Sequence, residues 1–369
     1  MFGEDWGAHP SSTQHLARYL VRNHKIAWVN SIGLRRPRLN RRDLARLGRK
    51  LANAVHRAPK QASREPPPPG MTVLAPVILP FPGSRLVERV NRDLLAAQLR
   101  PALARLAMSA PILWTSLPSA VCALGAFGER AVVYYCGDDF GALVGVDHAA
   151  AIDLERRLVE RADVIFTSHQ TLVARFPPER TVYLPHGVDV DHFSTLTSRA
   201  VDMPTGRPIA GFYGSISDWI DVELVANAAR ALSDWWFVLV GGVHTDISDL
   251  ENLENVRLLG PRRHDELPAY IQHWTVALIP FRDTPQIRAA DPLKLREYLA
   301  SGTPIAATAF PALAPFKELV SIAHDRDRFA DAIRAAAADK DKASLRQAAV
   351  ADQTWNARAR TVEGILEKL

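Results

Sequence analysis

The sequence predicts an α/β protein built of two doubly wound parallel-sheet domains. Apolar strand-like runs alternate with helical runs from end to end, which is the pattern of parallel sheets covered by helices on both faces. A polar stretch bearing Pro and Gly follows Leu184 and ends at Pro208, and the alternation then restarts with Ile209-Ala-Gly-Phe-Tyr213. A chain of 369 residues holds two domains at roughly 100–200 residues each.

In the first half, strands are expected at 25–30, 71–75, 111–115, 131–136, 163–167 and 181–184, with helices near 11–23, 41–58, 84–108, 118–126, 148–161 and 169–175. Ser11 or Ser12 can cap the first helix. Pro66 to Pro69 with Gly70 form an extended connector. One departure stands at the start. A doubly wound domain usually opens with a strand, yet only Met1-Phe2 precedes what reads as a post-strand loop, Gly3 to Ser12. Either the body of the first strand is lost at the start or the protein does without it. The second half continues with a helix from about Trp219 to Leu232 and strands at 235–241, 255–258, 275–279, 304–307 and 319–322. Helices near 264–272, 291–301, 325–338 and 341–350 alternate with them, and a last helix is expected over 353–368. The resulting division is 1–190 for the first domain, 191–207 for a linker, 208–350 for the second domain, and 351–369 for a final helix that could pack back on the first.

Composition narrows the class. Hydrophobic content of 47% and charged content of 23% are ordinary for a soluble globular protein. No run of about 18 apolar residues occurs, and Met1 to Gly7 lacks the basic-then-apolar order of a signal peptide, so a cytoplasmic protein is expected. Cys122 and Cys136 sit in apolar company and read as two buried thiols. Residues 35–64 carry eleven Lys/Arg against one acid, Asp43, a local +10 that leaves the rest of this +5 chain at −5. Leu44, Leu47, Leu51, Val55 and Ala58 recur there at helical spacing, while Arg42, Arg46, Arg49 and Lys50 mostly take other faces. Such a basic amphipathic helix suits anionic lipid head groups, with a merely solvated face as the alternative. Without aromatic interleaving or a recognisable module, nucleic acid is not expected as a partner.

The most informative stretch is Asp291-Pro-Leu-Lys-Leu-Arg-Glu-Tyr-Leu-Ala-Ser-Gly302. Asp291 can cap the helix, Pro292 suits its first turn, and Gly302 followed by Pro304 stops it. A lysine in a first turn is disfavoured by the helix macrodipole, so Lys294 is better explained by an anion bound there. Glu297, on the same face, can accept hydrogen bonds from ribose hydroxyls. The alternative is a plain surface pair at i,i+3 spacing. Gly214, after an apolar strand, lets the backbone approach a diphosphate, or else is a simple tight turn. Ligands in this fold class lie at the carboxyl ends of the strands, which also qualifies Arg262, Phe281, Arg282 and Thr284, each of which could equally be a solvated loop residue.

These motifs resemble the GT-B fold glycosyltransferases, particularly the bacterial group 1 branch, over nearly the whole chain. Pro185-His-Gly-Val-Asp189 is similar to that family's linker entry, Gly211-Phe-Tyr-Gly-Ser215 to its first donor-domain strand and phosphate loop, and Pro292 to Gly302 to its nucleotide-binding helix. The resemblance implies two Rossmann-like domains facing a central cleft. It implies a donor site at Gly214, Ser215, Arg262, Phe281, Arg282, Lys294 and Glu297, with a hinge at His186 and Gly187. Retaining members commonly carry a glutamate eight positions before the one matching Glu297. Here that position is Ala289. The chain also resembles inverting exopolysaccharide glucuronosyltransferases, which use a first-domain carboxylate as base, and the strand Val132 to Cys136 delivers Asp138 and Asp139 as candidates. Two adjacent carboxylates tend to raise one pKa, which suits a base near neutral pH, although Asp139 could instead cap a turn. His9 is a further candidate base, and Trp6 could stack on a sugar ring.

The expectation is a glycosyltransferase that moves a sugar from a nucleotide-diphosphate donor, a UDP-sugar most readily, to a hydroxyl of a lipid-linked or polysaccharide acceptor in cell-surface glycan synthesis. Inversion is weakly favoured. No metal and no cofactor are expected, because Lys294, the helix dipole and backbone amides can stabilise the leaving diphosphate. Its place is the inner face of the cell membrane, held peripherally by Arg42, Arg46, Arg49 and Lys50. The alternatives are a nucleotide-sugar epimerase of the same fold and a non-catalytic nucleotide-sugar-binding partner subunit.

Overall fold

A computed structural model describes residues 1–8, 11–32, 66–79, 84–141 and 147–369. His9 and the basic positions Arg42, Arg46, Arg49 and Lys50 lie outside the described residues. The chain forms two compact units, Met1–Pro185 with Arg358–Leu369, and His186–Ala357.

In the first unit, β3 (Ile112–Thr115), β4 (Ala131–Cys136), β5 (Val164–Thr167) and β6 (Thr181–Tyr183) pair in parallel in that order, and β1 (Ile26–Val29) pairs in parallel with β2 (Met71–Leu74). Phe2 joins the two sets, forming parallel bridges to Val29 and to Thr115. The sheet therefore runs β2, β1, Phe2, β3, β4, β5, β6, with the start of the chain in an interior seat between β1 and β3. Every residue of β4 is buried, as a strand covered on both faces requires. Trp114 stacks on Tyr135 and on Phe166 of the next two strands, at 6.1 and 5.5 Å between ring centres.

The second unit holds one parallel sheet of β7 (Ile209–Tyr213), β8 (Trp236–Val240), β9 (Val256–Leu258), β10 (Val276–Ile279), β11 (Ile305–Thr308) and β12 (Val320–Ala323) in the spatial order β9, β8, β7, β10, β11, β12. Counted within the unit this is 3-2-1-4-5-6, the Rossmann order, whose connections reverse direction between β7 and β10. Both units are thus Rossmann-like. Residues 191–207, which the sequence reads as a linker, fall inside the second unit, where Phe193 and Met203 join the core.

Two expectations are corrected. Asp291 does not cap the helix Leu293–Ser301, whose N-cap is Pro292, because the Asp291 carboxylate is buried in an ion pair with Arg296 instead. Trp6 offers no face for a sugar, since it is 2% exposed and packs edge-on against Trp28 at 5.1 Å.

Candidate functional site

The reversal between β7 and β10 opens a crevice at the carboxyl ends of those strands. Gly214 follows β7 and Phe281 follows β10, so both border it. At Gly214 φ is +131°, and an added Cβ would stand 3.1 Å from Cε of Lys294. Its N–H is already spent, donating to the Val240 carbonyl at 2.9 Å, as the Ile216 N–H does to Gly242. What Gly214 supplies is room rather than a donor. Ser215 turns its hydroxyl to that of Ser217 at 2.6 Å.

Lys294 fills that room. As the second residue of the helix Leu293–Ser301, its Nζ lies 5.3 Å from the ring centre of Phe212 and 5.2 Å from that of Phe281. Burial beside these rings lowers its pKa to about 8, with nearby Glu297 opposing the shift. The helix holds this geometry through the Arg296–Asp291 pair, the bond from Arg296 Nε to Gln353 at 3.0 Å, and a left-handed stop at Gly302 with φ of +75°.

One turn along the same helix, Glu297 accepts a hydrogen bond from the Tyr213 hydroxyl at 2.6 Å and meets His264 Nε2 at 3.1 Å. Burial, and next the Glu297 charge, push the Tyr213 pKa well up, so its proton stays in place to donate. The His264 ring stacks on His192 at 5.1 Å. Tyr213 and His264 escaped the sequence reading. The only signal was the position of Tyr213 as the last residue of an apolar strand.

The remaining predicted donor residues are not gathered at this grip. Arg262 is tied to Asp202 and donates to the Tyr270 hydroxyl at 2.8 Å. Arg282 is exposed and donates to the Ile220 carbonyl at 3.1 Å. Thr284 caps the short helix Pro285–Arg288. His186 is 6% exposed with its ring 6.3 Å from Trp355, and a Cβ on Gly187 would fall 2.7 Å from the Trp355 nitrogen, so this segment is seated against residues 353–355.

In the first unit, the end of β4 separates its two aspartates. Asp139 pairs with Arg175 at 2.6 Å and accepts from the Gly141 N–H at 3.0 Å. Arg175 also reaches Glu155, whose other oxygen accepts from Tyr134 at 2.6 Å, so Asp139 belongs to a structural network. Asp138 differs. The protein around its carboxyl raises its pKa to about 6, and the charges of Glu4 and Asp139 add to that. More than a third of the residue remains in solvent, which screens these effects, so the shift bears on proton transfer and not on stability. Glu4 accepts from the hydroxyl of Ser11, which in turn caps the helix Ser12–Leu20. A carboxylate titrating near 6 can take a proton from a hydroxyl.

Comparison with known proteins bears on the family and the fold. Residues 207–339 match the family profile described as "Glycosyl transferases group 1". A curated protein of Bacillus subtilis (strain 168), named "Putative teichuronic acid biosynthesis glycosyltransferase TuaH", is 27% identical over 220 residues, covering 54% of this chain and 55% of the relative, about half its length. Among solved structures, HepE of Anabaena in complex with UDP superposes with a TM-score of 0.67 at 14% identity over 100% of this chain and 99% of that one. The same protein has been solved with UDP-glucose. The sucrose-phosphate synthase of Thermosynechococcus elongatus gives 0.64 at 18% identity over 94% and 99%. The fold is GT-B.

Proposed function

We propose that this chain, whose residues 207–339 form a group 1 glycosyl transferase domain on a GT-B fold, transfers a sugar from a nucleotide-diphosphate donor to a hydroxyl of a cell-surface glycan or its lipid-linked precursor. The observation that carries the reading is the grip at Gly214, Lys294 and Glu297. A cation that burial makes costly waits at a helix N-terminus beside a glycine with no side chain to obstruct it, and a buried carboxylate stands one turn away. Diphosphate repays the lysine its charge partner, and the ribose hydroxyls compete with His264 for Glu297. A UDP-sugar is the favoured donor, in line with the UDP and UDP-glucose carried by HepE.

Asp138 is the proposed base. Ala289 stands where retaining relatives carry a glutamate, so direct displacement by a hydroxyl that Asp138 deprotonates, with inversion, is the favoured course. The leaving diphosphate gains from Lys294 and the helix dipole, an arrangement that needs no metal. The basic stretch 35–64 suits peripheral attachment to an anionic membrane surface.

A panel of uridine, guanosine and adenosine diphosphate sugars scored by thermal shift tests the donor half, because a ligand of the folded state raises Tm. Uridine compounds should give the largest shift. No shift with any of them removes the donor reading. Asp138→Asn should then keep the shift and lose transfer, whereas a mere binder would have no turnover to lose.

A further inference from the structure

Between β1 and β3 lies a cavity of about 340 Å³, walled by Ala27, Leu99, Leu103, Ile112, Leu113 and Phe127 and floored by Met1. Its width is set by the sheet. Neighbouring strands stand about 4.8 Å apart, and because Phe2 bridges both Val29 and Thr115, the two walls are spaced for a single strand between them. The hydrogen bonds give the register. Met1 faces β1, its amine donating to the Ala27 carbonyl at 2.7 Å and its carbonyl accepting from Val29 at 2.7 Å. Phe2 faces β3, donating to Trp114 at 2.8 Å and accepting from Ser116 at 3.1 Å. In a strand the N–H and C=O of one residue point to the same side, so Ala27 and Trp114, whose carbonyls are taken here, also aim their N–H groups into the cavity.

We propose that this cavity is the seat of a chain segment directly preceding Met1, a few apolar residues in extended form that complete the strand between β1 and β3 in the first unit's sheet. The first such residue faces β3, where its carbonyl accepts from the Trp114 N–H. The second faces β1 and accepts from Ala27. Both donors are thereby paired, as buried backbone groups require. The lining suits apolar side chains, since Leu99 and Leu113, both buried, are among the residues that wall it. The amine of Met1 points the same way. Burial drives its pKa down to about 5, at a position where a neutral peptide N–H makes the same bond to Ala27 without a charge to desolvate. This inference is independent of the transferase reading.

The test compares the 369-residue chain with two lengthened forms, one carrying four β-branched apolar residues before Met1 and one carrying four Gly/Ser residues. The apolar extension should slow hydrogen exchange at the Ala27 and Trp114 amides by about tenfold or more and raise Tm by about 5 °C over the Gly/Ser form. Equal exchange and equal Tm in all three forms overturn the proposal. So does a 369-residue chain that is dimeric with both amides already protected and that the extension makes monomeric, because the cavity would then be filled by a second copy. An apolar extension that precipitates while the Gly/Ser form folds counts against it as well.

Discussion

Lys294 stands where its own charge is disfavoured, and that makes the function measurable as stability. A lysine whose folded pKa is lowered from 10.5 to about 8 contributes stability that is fully present above 10.5 and is lost as pH falls through 8, since the unfolded chain takes the proton first. At pH 7 the loss is about 3 kcal/mol, an order-of-magnitude figure from 1.36 kcal/mol per unit. Lys294→Met should therefore raise Tm at pH 7, show a smaller gain at pH 10, and weaken UDP binding by about tenfold or more. A mutant that melts lower at pH 7 would show that the lysine is a structural partner and not a poised cation. Asp138 carries the second prediction at this scale. If it is the base, the transfer rate falls as pH drops below about 6, where the carboxylate takes up its proton, and Asp138→Asn removes that limb along with the activity. Asp139→Asn should instead cost about 1 kcal/mol through the half-exposed Arg175 pair, with transfer largely kept. Lys294 and Glu297 were legible in the sequence because one helical turn joins them. His264 and Tyr213 were not, because they reach Glu297 from 33 and 84 positions away, and only the folded sheet brings them there.

Two strand-end loops lock the proposed donor crevice together. The loops after β7 and β8 exchange the bonds from Gly214 to Val240, Ile216 to Gly242 and His244 to Ile216, and the two backbones come so close that a Cβ on Gly241 would lie 1.8 Å from the Gly214 carbonyl oxygen. Backbone cannot yield as a side-chain tip can. Gly241→Ala should cost about 3 kcal/mol or more, the size of the severe backbone effects, and should lower UDP affinity through the displaced Gly214. Chemical denaturation and a UDP titration of the same preparation check both. Gly214→Ala meets only the flexible end of Lys294, so its effect should fall more on affinity than on stability, apart from the strain of a Cβ at φ +131°. Among the described residues, most regular elements at this scale were legible to within a few residues at their ends, because β-branched runs and helical periodicity are local signals; the helix expected at 41–58 lies outside the described residues. Val190–Ser194 and Pro285–Arg288 were missed, since a helix of one turn has no period to read. Asp291 misled for a related reason. Its sequence position fits a cap, but the buried Arg296 claims its carboxylate.

At the scale of the molecule, fold class followed from alternation, yet strand order did not, because the 3-2-1-4-5-6 arrangement that places the crevice depends on pairings between residues far apart in sequence. The division into units is likewise a long-range matter. Arg358–Leu369 belong with Met1–Pro185, and Glu363 accepts from Asn23 at 2.9 Å and lies 3.4 Å from His24. Val362 in the same helix is fully buried, so these twelve residues bury apolar surface besides their polar contacts. Deleting 358–369 should then weaken the first unit while sparing the second, whose core, from Val188 to Val350, lies entirely within His186–Ala357. Two units can unfold separately, and UDP at about 100 times its Kd stabilises the one that binds it by about 2.7 kcal/mol. Calorimetry of the truncated chain should therefore show a lowered transition that UDP does not move and a second that UDP raises as in the full chain. A UDP-sensitive transition lowered as far as the other would mean that the donor site depends on the final helix, and the two units would have to be treated as one cooperative body.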